Sequence, residues 1–472
     1  MKKFQPSSLL FCGILCGIFC VLFSGIRNAD AQTANTQDAA FPLSQRTAKT
    51  SPKWVTEGVI YQINPRAFTP EGTLKAAEAK LPDLAKLGVS IVYLCPVFVA
   101  DDDMDQRYWS PRQKASKMES PLNPYRMKDY YHVDPEYGTD SDLKSYVETA
   151  HSLGMRVMLD MVYLHCGPTA VFIKEHPDFV KHDKDGNIVN AAWSFPGLNF
   201  QCQELREYLF ANMEQWVRDY GVDGFRMDVG DGIELKFWEE ARERLEKIRP
   251  DVGMLSEGTR KEDQLKAFDL DYGFPVSSAM RRVYDQNAPA REIRSIKESF
   301  RAARPIGGDR MIHYIDNHDI SNDDYANRIE KRWGEEGVNA MLAMIFTLDG
   351  TPMLYCGQEV CDKNRHSIFG SKFNCKVDWA NASSDEASRR LALIRRLADT
   401  RKARPELTAG SLVWLENSVD ADVLSYLRTL DGKQTLVVIN VRPRTVPTDV
   451  TLPDGSKRHF DLKNYEFVIK SN

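Results

Sequence analysis

Residues 204–229 read ELREYLFANMEQWVRDYGVDGFRMDV, and the fold turns on the point where their periodicity changes. From Glu204 to Tyr220 apolar residues recur at three- and four-residue steps with charges between them, the pattern of a helix laid on a core. Gly221 ends that pattern, and 224–229 is a short apolar run of strand type. Within the run Arg226 and Asp228 stand two residues apart, so the period of a strand turns both side chains to one face.

A helix feeding a strand is half of a repeating unit, and the unit recurs in both directions along the chain. Strand-like runs lie at 59–63, 90–94, 156–161, 224–229, 253–256, 267–270, 311–315 and 353–356. Helical periodicity fills 74–87, 142–153, 204–220, 233–248 and 387–401 between or beyond them. Eight such units predict an α/β fold, a (β/α)8 TIM barrel over 54–405, enlarged by long segments at 98–139 and by a short insertion after strand 3 at 166–198. After Pro405 the period becomes two, with turn signals at Asp431-Gly432 and Asp454-Gly455, which predicts a C-terminal antiparallel β domain, a β-sandwich over 406–472.

The amino end is different material. Lys2 and Lys3 precede an uncharged stretch, 9–26, and Ala29-Asp30-Ala31 offers a small-x-small cleavage pattern before Gln32. Residues 1–31 read as an export signal, which places the mature protein in a secreted or periplasmic location; 32–53 read as a spacer. An uncleaved signal acting as a membrane anchor is the competing reading. Cleavage moves the formal charge from −5 to about −7 and leaves six of the nine cysteines, Cys95, Cys166, Cys202, Cys356, Cys361 and Cys375. No C-x-x-C pair or zinc-type His spacing occurs among them, so no metal site is expected, and their disulfide pairing stays open. With 42% apolar and 27% charged residues and no Lys/Arg run, nucleic acid is excluded as a partner.

In such a barrel reacting groups sit at the carboxyl ends of strands. Four ends carry them: Asp160 through His165 in LDMVYLH, Arg226 and Asp228 in GFRMD, Glu257 in LSEG, and Asp316 through Asp319 in IDNHD. Glycosidic bond cleavage needs this set, one carboxylate ionised to attack the anomeric carbon and another protonated for the leaving oxygen. Arg226 holds Asp228 ionised; Glu257, on the next strand, keeps its proton beside that charge.

These four segments, in this order, resemble the signature regions of the α-amylase family of glycoside hydrolases. Flanking segments agree: 59–63 (VIYQI), 129–135 (DYYHVDP) with Gly138-Thr139, and Gly350-Thr351-Pro352 followed by 355–359 (YCGQE). The resemblance implies a retaining enzyme with Asp228 as nucleophile, Glu257 as general acid/base and Asp319 as the third carboxylate. It implies that Arg226 orients Asp228, that His165 and His318 bind hydroxyls at the cleavage point, that Tyr125 stacks under that sugar, and that Asp160 belongs with the substrate-binding group.

Two departures bear on metal. Leu164 stands where the family often has Asn, and Gly197 where many members have Asp, so the usual structural calcium is expected to be absent and no cofactor is implied. Residues 229–232, Val-Gly-Asp-Gly, replace a frequent Ala-x-Lys-His and leave starch preference open. The expected activity is that of an exported retaining hydrolase of α-glucosidic linkages, with an α-linked carbohydrate as partner. The alternatives are a glycosyltransferase of the same fold and a catalytically inactive carbohydrate-binding protein; the latter sits badly with three retained carboxylates. In the loop 98–124, Asp101-Asp102-Asp103 with Tyr108 and Trp109 reads as a solvated turn.

Overall fold

The computed structural model describes residues 41–118, 120–323, 328–370 and 375–471. The expected export signal, 1–31, and the first part of the expected spacer, 32–40, fall outside these residues. Among the described residues no helix is long and apolar enough to cross a membrane.

Eight parallel strands form the barrel: β1 (Ile60–Ile63), β2 (Ile91–Leu94), β3 (Arg156–Met161), β4 (Gly224–Met227), β5 (Gly253–Ser256), β6 (Leu270–Asp271), β7 (Ile312–His313) and β8 (Thr351–Tyr355). Their order is β6-β5-β4-β3-β2-β1-β8-β7, and a parallel bridge from Asp271 to Met311 closes the ring. The expected TIM barrel is therefore present; β7 is shorter than its apolar run, and β6 shares only Leu270 with the expected 267–270, Ala267 closing the preceding helical turn instead.

Period-two alternation sorts the strand residues. Tyr61, Val92, Leu159, Phe225, Met227 and Met254 join the outer core under the helices. Ile60, Ile91, Met158, Leu255, Leu270, Ile312 and Met353 fill the lower interior as a separate cluster. Two residues higher the interior turns polar, with Gln62, Tyr93, Asp160 and Arg226 all fully buried. Strand alternation thus stacks a polar floor above an apolar plug. Trp54 closes the opposite end: its indole lies where a Cβ on Gly253 would sit, 2.6 Å from the ring, and its Nε1 donates to the Asp251 carbonyl at 2.8 Å.

The helix of the opening stretch spans Gln203–Tyr220, buries Leu205, Leu209, Phe210, Met213, Trp216 and Val217, and stops at Gly221 in the left-handed region (φ 73°). The periodic segment 74–87 splits into Leu74–Glu78 and Leu81–Leu87, because Pro82 lacks an N–H and can stand only in a first turn. The carboxyl end folds as a four-stranded antiparallel sheet, Ser411–Trp414, Val423–Leu430, Lys433–Asn440 and Phe467–Ser471, with a hairpin of Val446–Thr451 and Lys457–Leu462. Asp431 (φ 49°) and Gly432 (φ 79°) make its tight turn. Buried Arg428 ties the sheet to the barrel by donating to the carbonyls of Thr347 and Leu407.

Two expectations are corrected. Residues 46–49, assigned to the spacer, pair with the barrel: Ala48 N donates to Ile306 O at 3.0 Å, Lys49 N to Gln264 O at 2.9 Å, and Lys49 Nζ to Asp269 at 3.1 Å. Backbone pairing of this kind leaves no apolar signature. The triple-Asp segment is no solvated turn either. Asp101 is fully buried and accepts from Thr169 N and Oγ1, both at 2.8 Å, while Trp109 is buried beside it. Buried Arg126 donates to the carbonyls of Tyr108, Asp101 and Asp103 and so clasps the loop on itself, while the Thr169 bonds tie it to the insertion after β3. All six described cysteines are free thiols, five of them buried.

Candidate active site

Asp228 follows β4 and Glu257 follows β5; their backbone N–H groups donate to Met161 O and Met227 O, continuing the barrel ladder one step past each strand. Arg226 lies between them. Its Nη1 donates to Asp160 Oδ1 at 2.6 Å and to Asp228 Oδ1 at 2.8 Å, and its Nη2 pairs with Glu257 Oε2 at 2.9 Å. One guanidinium therefore faces three carboxylates. Burial first, then the mutual repulsion of the acids against the pull of Arg226, raises both Asp228 and Glu257 above the ordinary carboxylate range. With one cation among three acids in a dry interior, the Asp228–Glu257 pair titrates as a unit and holds a proton more tightly than ordinary carboxylates do.

Asp160 and Arg226, grouped on resemblance with the substrate-binding residues, are both fully buried. Asp160 Oδ1 is taken by Arg226, and Oδ2 accepts from Tyr93 Oη at 2.7 Å and Tyr125 Oη at 3.0 Å. Each organises the floor rather than facing the open mouth.

Tyr125 is partly exposed. Its ring stacks on His318 (centroids 5.3 Å apart, planes 12°), and its Oη meets His318 Nε2 at 2.8 Å. Gln62 settles the tautomer: its Nε2 lies 2.9 Å from His318 Nδ1 and its Oε1 accepts His318 N–H at 3.1 Å. Nδ1 is thus the acceptor and Nε2 the donor, giving a relay His318 to Tyr125 to Asp160. His318 and Asp319 open the short helix His318–Asp323, whose first turn is capped by Asn317 Oδ1, accepting from Asp319 N and Ile320 N.

Asp319 is the most accessible of the three expected carboxylates, its side chain 33% exposed. Burial works to raise its pKa, but the neighbouring His318 ring and the Arg112 guanidinium, which donates to it, outweigh burial and hold the group well below the usual range. Arg112 arrives from the loop after β2 and bridges Asp319 Oδ1 at 2.8 Å and Asp323 Oδ1 at 2.9 Å. His165 is buried; its Nε2 donates to Tyr125 O at 2.9 Å, leaving Nδ1 without a protein partner, and burial lowers its pKa to about 4. It is a neutral imidazole at any physiological pH. All eight residues expected at the site therefore converge on one end of the barrel.

Four further residues belong to the same region. Gln62 and Tyr93 are polar interruptions in apolar strands, a signal present in the sequence. Arg112 carries no motif. Trp193, in the insertion, has its ring 5.7 Å from that of His165 and is partly exposed. Trp193 (φ 63°) and Ser194 (φ 69°) are consecutive left-handed residues, at a cost of about 1–3 kcal/mol each. Backbone strain of that size beside a site presents the indole to it.

The family model for the alpha-amylase catalytic domain matches residues 29–188 and 188–398. A cyclomaltodextrinase from Bacillus sp is 26% identical over 442 residues, 82% of this chain and 73% of its own. A noncanonic maltogenic alpha-amylase from Thermotoga neapolitana superimposes with a TM-score of 0.74 at 24% identity, covering 88% of this chain and 96% of that one. The cyclic alpha-maltosyl-(1→6)-maltose hydrolase of Arthrobacter globiformis gives 0.74 at 20% identity, over 90% and 100%. The two structural matches share the fold, and the sequence model spans well over half the chain. This chain belongs to the α-amylase family of retaining glycoside hydrolases.

Proposed function

We propose that this α-glucan hydrolase is exported and cleaves short or cyclic α-linked glucans, with Asp228 as nucleophile, Glu257 as acid/base and Asp319 gripping the sugar hydroxyls. The observation that carries the reading is the Arg226 bridge to Asp228 and Glu257, which sets the carboxyls that follow two adjacent strands on one guanidinium. Tyr125, partly exposed, offers its ring to the sugar being cleaved. Short substrates are favoured because Arg112 spans the mouth from the β2 loop to Asp319 and Asp323, which narrows the passage for the interior of a long chain. Relatives named cyclomaltodextrinase and maltogenic alpha-amylase agree with that choice.

The deciding experiment is a panel of maltooligosaccharides, cyclodextrins, pullulan and starch with separation of products. Shorter products with fastest turnover on short or cyclic members support the reading. Products longer than the substrate point to transfer, and silence on every member, activated aryl α-glycosides included, points to a binding protein. In the same assay Arg112→Ala is expected to raise the rate on starch relative to maltotriose at least ~3-fold by opening the bridged side, a change on the scale of one surface contact.

Because the pair holds its proton more tightly than ordinary carboxylates, kcat/KM is expected to be bell-shaped in pH, with its basic limb raised above the ordinary carboxylate range. In Glu257→Gln, assayed on a 2,4-dinitrophenyl glycoside that needs no acid, that basic limb disappears; a limb that persists assigns the proton elsewhere.

We also propose that the family's calcium is dispensable here. Leu164 offers no side-chain oxygen, and its carbonyl already accepts Leu198 N at 3.2 Å. Gly197 likewise has no side-chain donor, and its carbonyl accepts Lys181 N at 2.9 Å. Excess chelator is expected to shift the melting temperature by less than about 1 °C, where a bound structural ion would shift it by several degrees. Export follows from Lys2, Lys3, the apolar 9–26 and Ala29-Asp30-Ala31; a mature amino terminus at Gln32 supports it, and retention of residues 1–31 on membranes supports an anchor.

A further inference from the structure

We propose that Asp231 is a positioning residue for Glu257, an inference that rests on Glu257 being the acid/base. Asp231 lies three residues after Asp228, in the Val-Gly-Asp-Gly segment that departs from the family pattern. Its carboxylate reaches across to the segment that follows Glu257: Oδ2 accepts Thr259 N at 2.8 Å and Oδ1 accepts Arg260 N at 3.3 Å. Both oxygens are engaged by backbone, so the group is a brace and not a ligand for sugar. The approach is so close that a Cβ on Gly258 would lie 2.2 Å from Asp231 Oδ1.

The bracing is reciprocal. Arg260 Nη2 donates back to Asp231 O at 2.8 Å and Ile233 O at 2.9 Å, and Gly230 N donates to Glu257 O at 3.1 Å. Trp238 Nε1 fixes the turn from below, donating to Gly230 O at 3.0 Å. Val229, a β-branched residue in the left-handed region (φ 46°), thereby aims its N–H at Glu257 Oε2, 2.7 Å away. The segment after the nucleophile and the segment after the acid/base thus form one cross-laced unit, and the Asp231 carboxylate is its tie on the Glu257 side. Losing the tie frees residues 258–260 and loosens the backbone that carries Glu257, so its carboxyl is set less squarely on the leaving oxygen although Arg226 and Val229 N–H still reach it, while Asp228, whose segment makes no bond to the Asp231 carboxylate, stays in place.

That separation sets the test. Asp231→Ala, Asp231→Asn and Asp231→Glu are compared with Glu257→Ala by kcat/KM on aryl α-maltosides whose phenols run from 2,4-dinitrophenol to phenol. Misplacing an acid by about 1 Å costs on the order of 10²-fold where protonation is needed. The expected result for Asp231→Ala is a loss of that size on the phenyl substrate and less than about 3-fold on the dinitrophenyl one. Asp231→Asn, nearly isosteric and able to accept only one of the two N–H groups, is expected to lose less with the same dependence, and Asp231→Glu to recover part of it. A uniform loss across the series, or no loss, overturns the proposal; Asp231→Asn supplies the reading if Asp231→Ala does not fold. If Glu257→Ala itself shows no leaving-group dependence, the acid/base assignment fails; if Glu257→Ala shows it and the Asp231 variants do not, the bracing role alone fails.

Discussion

Asp228→Asn is expected to reduce kcat/KM on every substrate by on the order of 10⁴-fold, the scale reached when the group forming a covalent intermediate is removed. The amide keeps the shape of the carboxylate and can still accept from Arg226 Nη1, whose distance to Asp228 Oδ1 is 2.8 Å. What it loses is the charge that attacks the anomeric carbon. The fold is expected to persist, because the substitution removes one of three acids crowded on a single cation and so relieves repulsion. The melting temperature is therefore predicted to be unchanged or higher than wild type. Unlike the loss for an acid/base defect, the loss for the nucleophile is uniform along a leaving-group series, since no quality of phenol replaces an absent attacking group. A fluorinated glycosyl fluoride should label wild type on the peptide containing Asp228 and leave the variant unlabelled. Labelling elsewhere, or residual turnover within about 10-fold of wild type, would reassign the nucleophile.

The partnership behind that prediction was legible in the chain because it is local. Arg226 and Asp228 lie two residues apart on a strand, and the period of two fixes them to one face without any tertiary knowledge. The barrel strands were legible as apolar runs of four to six residues between helical segments, though the sixth run, 267–270, meets its strand only at Leu270. Contacts carried by distant segments were not legible. Gln62 orients His318 across 256 positions, and Arg112 reaches Asp319 across 207. Asp101 looked solvated within a run of three acids because its partner, Thr169, lies 68 positions away. Asp231 stood in the sequence only as part of a departure from the family pattern, and only the fold brings residues 258–260 onto it. Residues 46–49 join the barrel through backbone groups, which every sequence offers alike. What sequence conveys well is which face a side chain takes; which partner meets it there depends on closure of the ring.

Arg226→Met is expected to damage stability and chemistry together, and pH separates the two effects. The fully buried guanidinium pairs with Asp160 at 2.6 Å, Asp228 at 2.8 Å and Glu257 at 2.9 Å. Methionine matches its apolar stem but leaves three carboxyls facing one another without a cation. Removing one partner from a buried ion pair costs about 3–5 kcal/mol, and here the removed partner serves three acids. Burial and repulsion already raise Asp228 and Glu257, and without Arg226 their folded-state pKa values rise further above those of the unfolded chain. A carboxyl whose folded pKa is raised contributes its stability fully below the unfolded pKa and loses it as pH climbs through the folded one. The deficit of Arg226→Met relative to wild type should therefore be larger at pH 8 than at pH 5, which urea titrations at the two values measure. Chemistry moves with it: Asp228 must be ionised to attack, so the acid limb of kcat/KM shifts to higher pH. Arg226→Lys keeps the charge but as a compact ammonium that cannot span three acids, and it should fall between the two proteins in both measurements. A deficit that does not grow with pH would mean that the arginine acts by packing alone, and the raised pKa values of Asp228 and Glu257 would then need another explanation than the crowding of three acids on one cation.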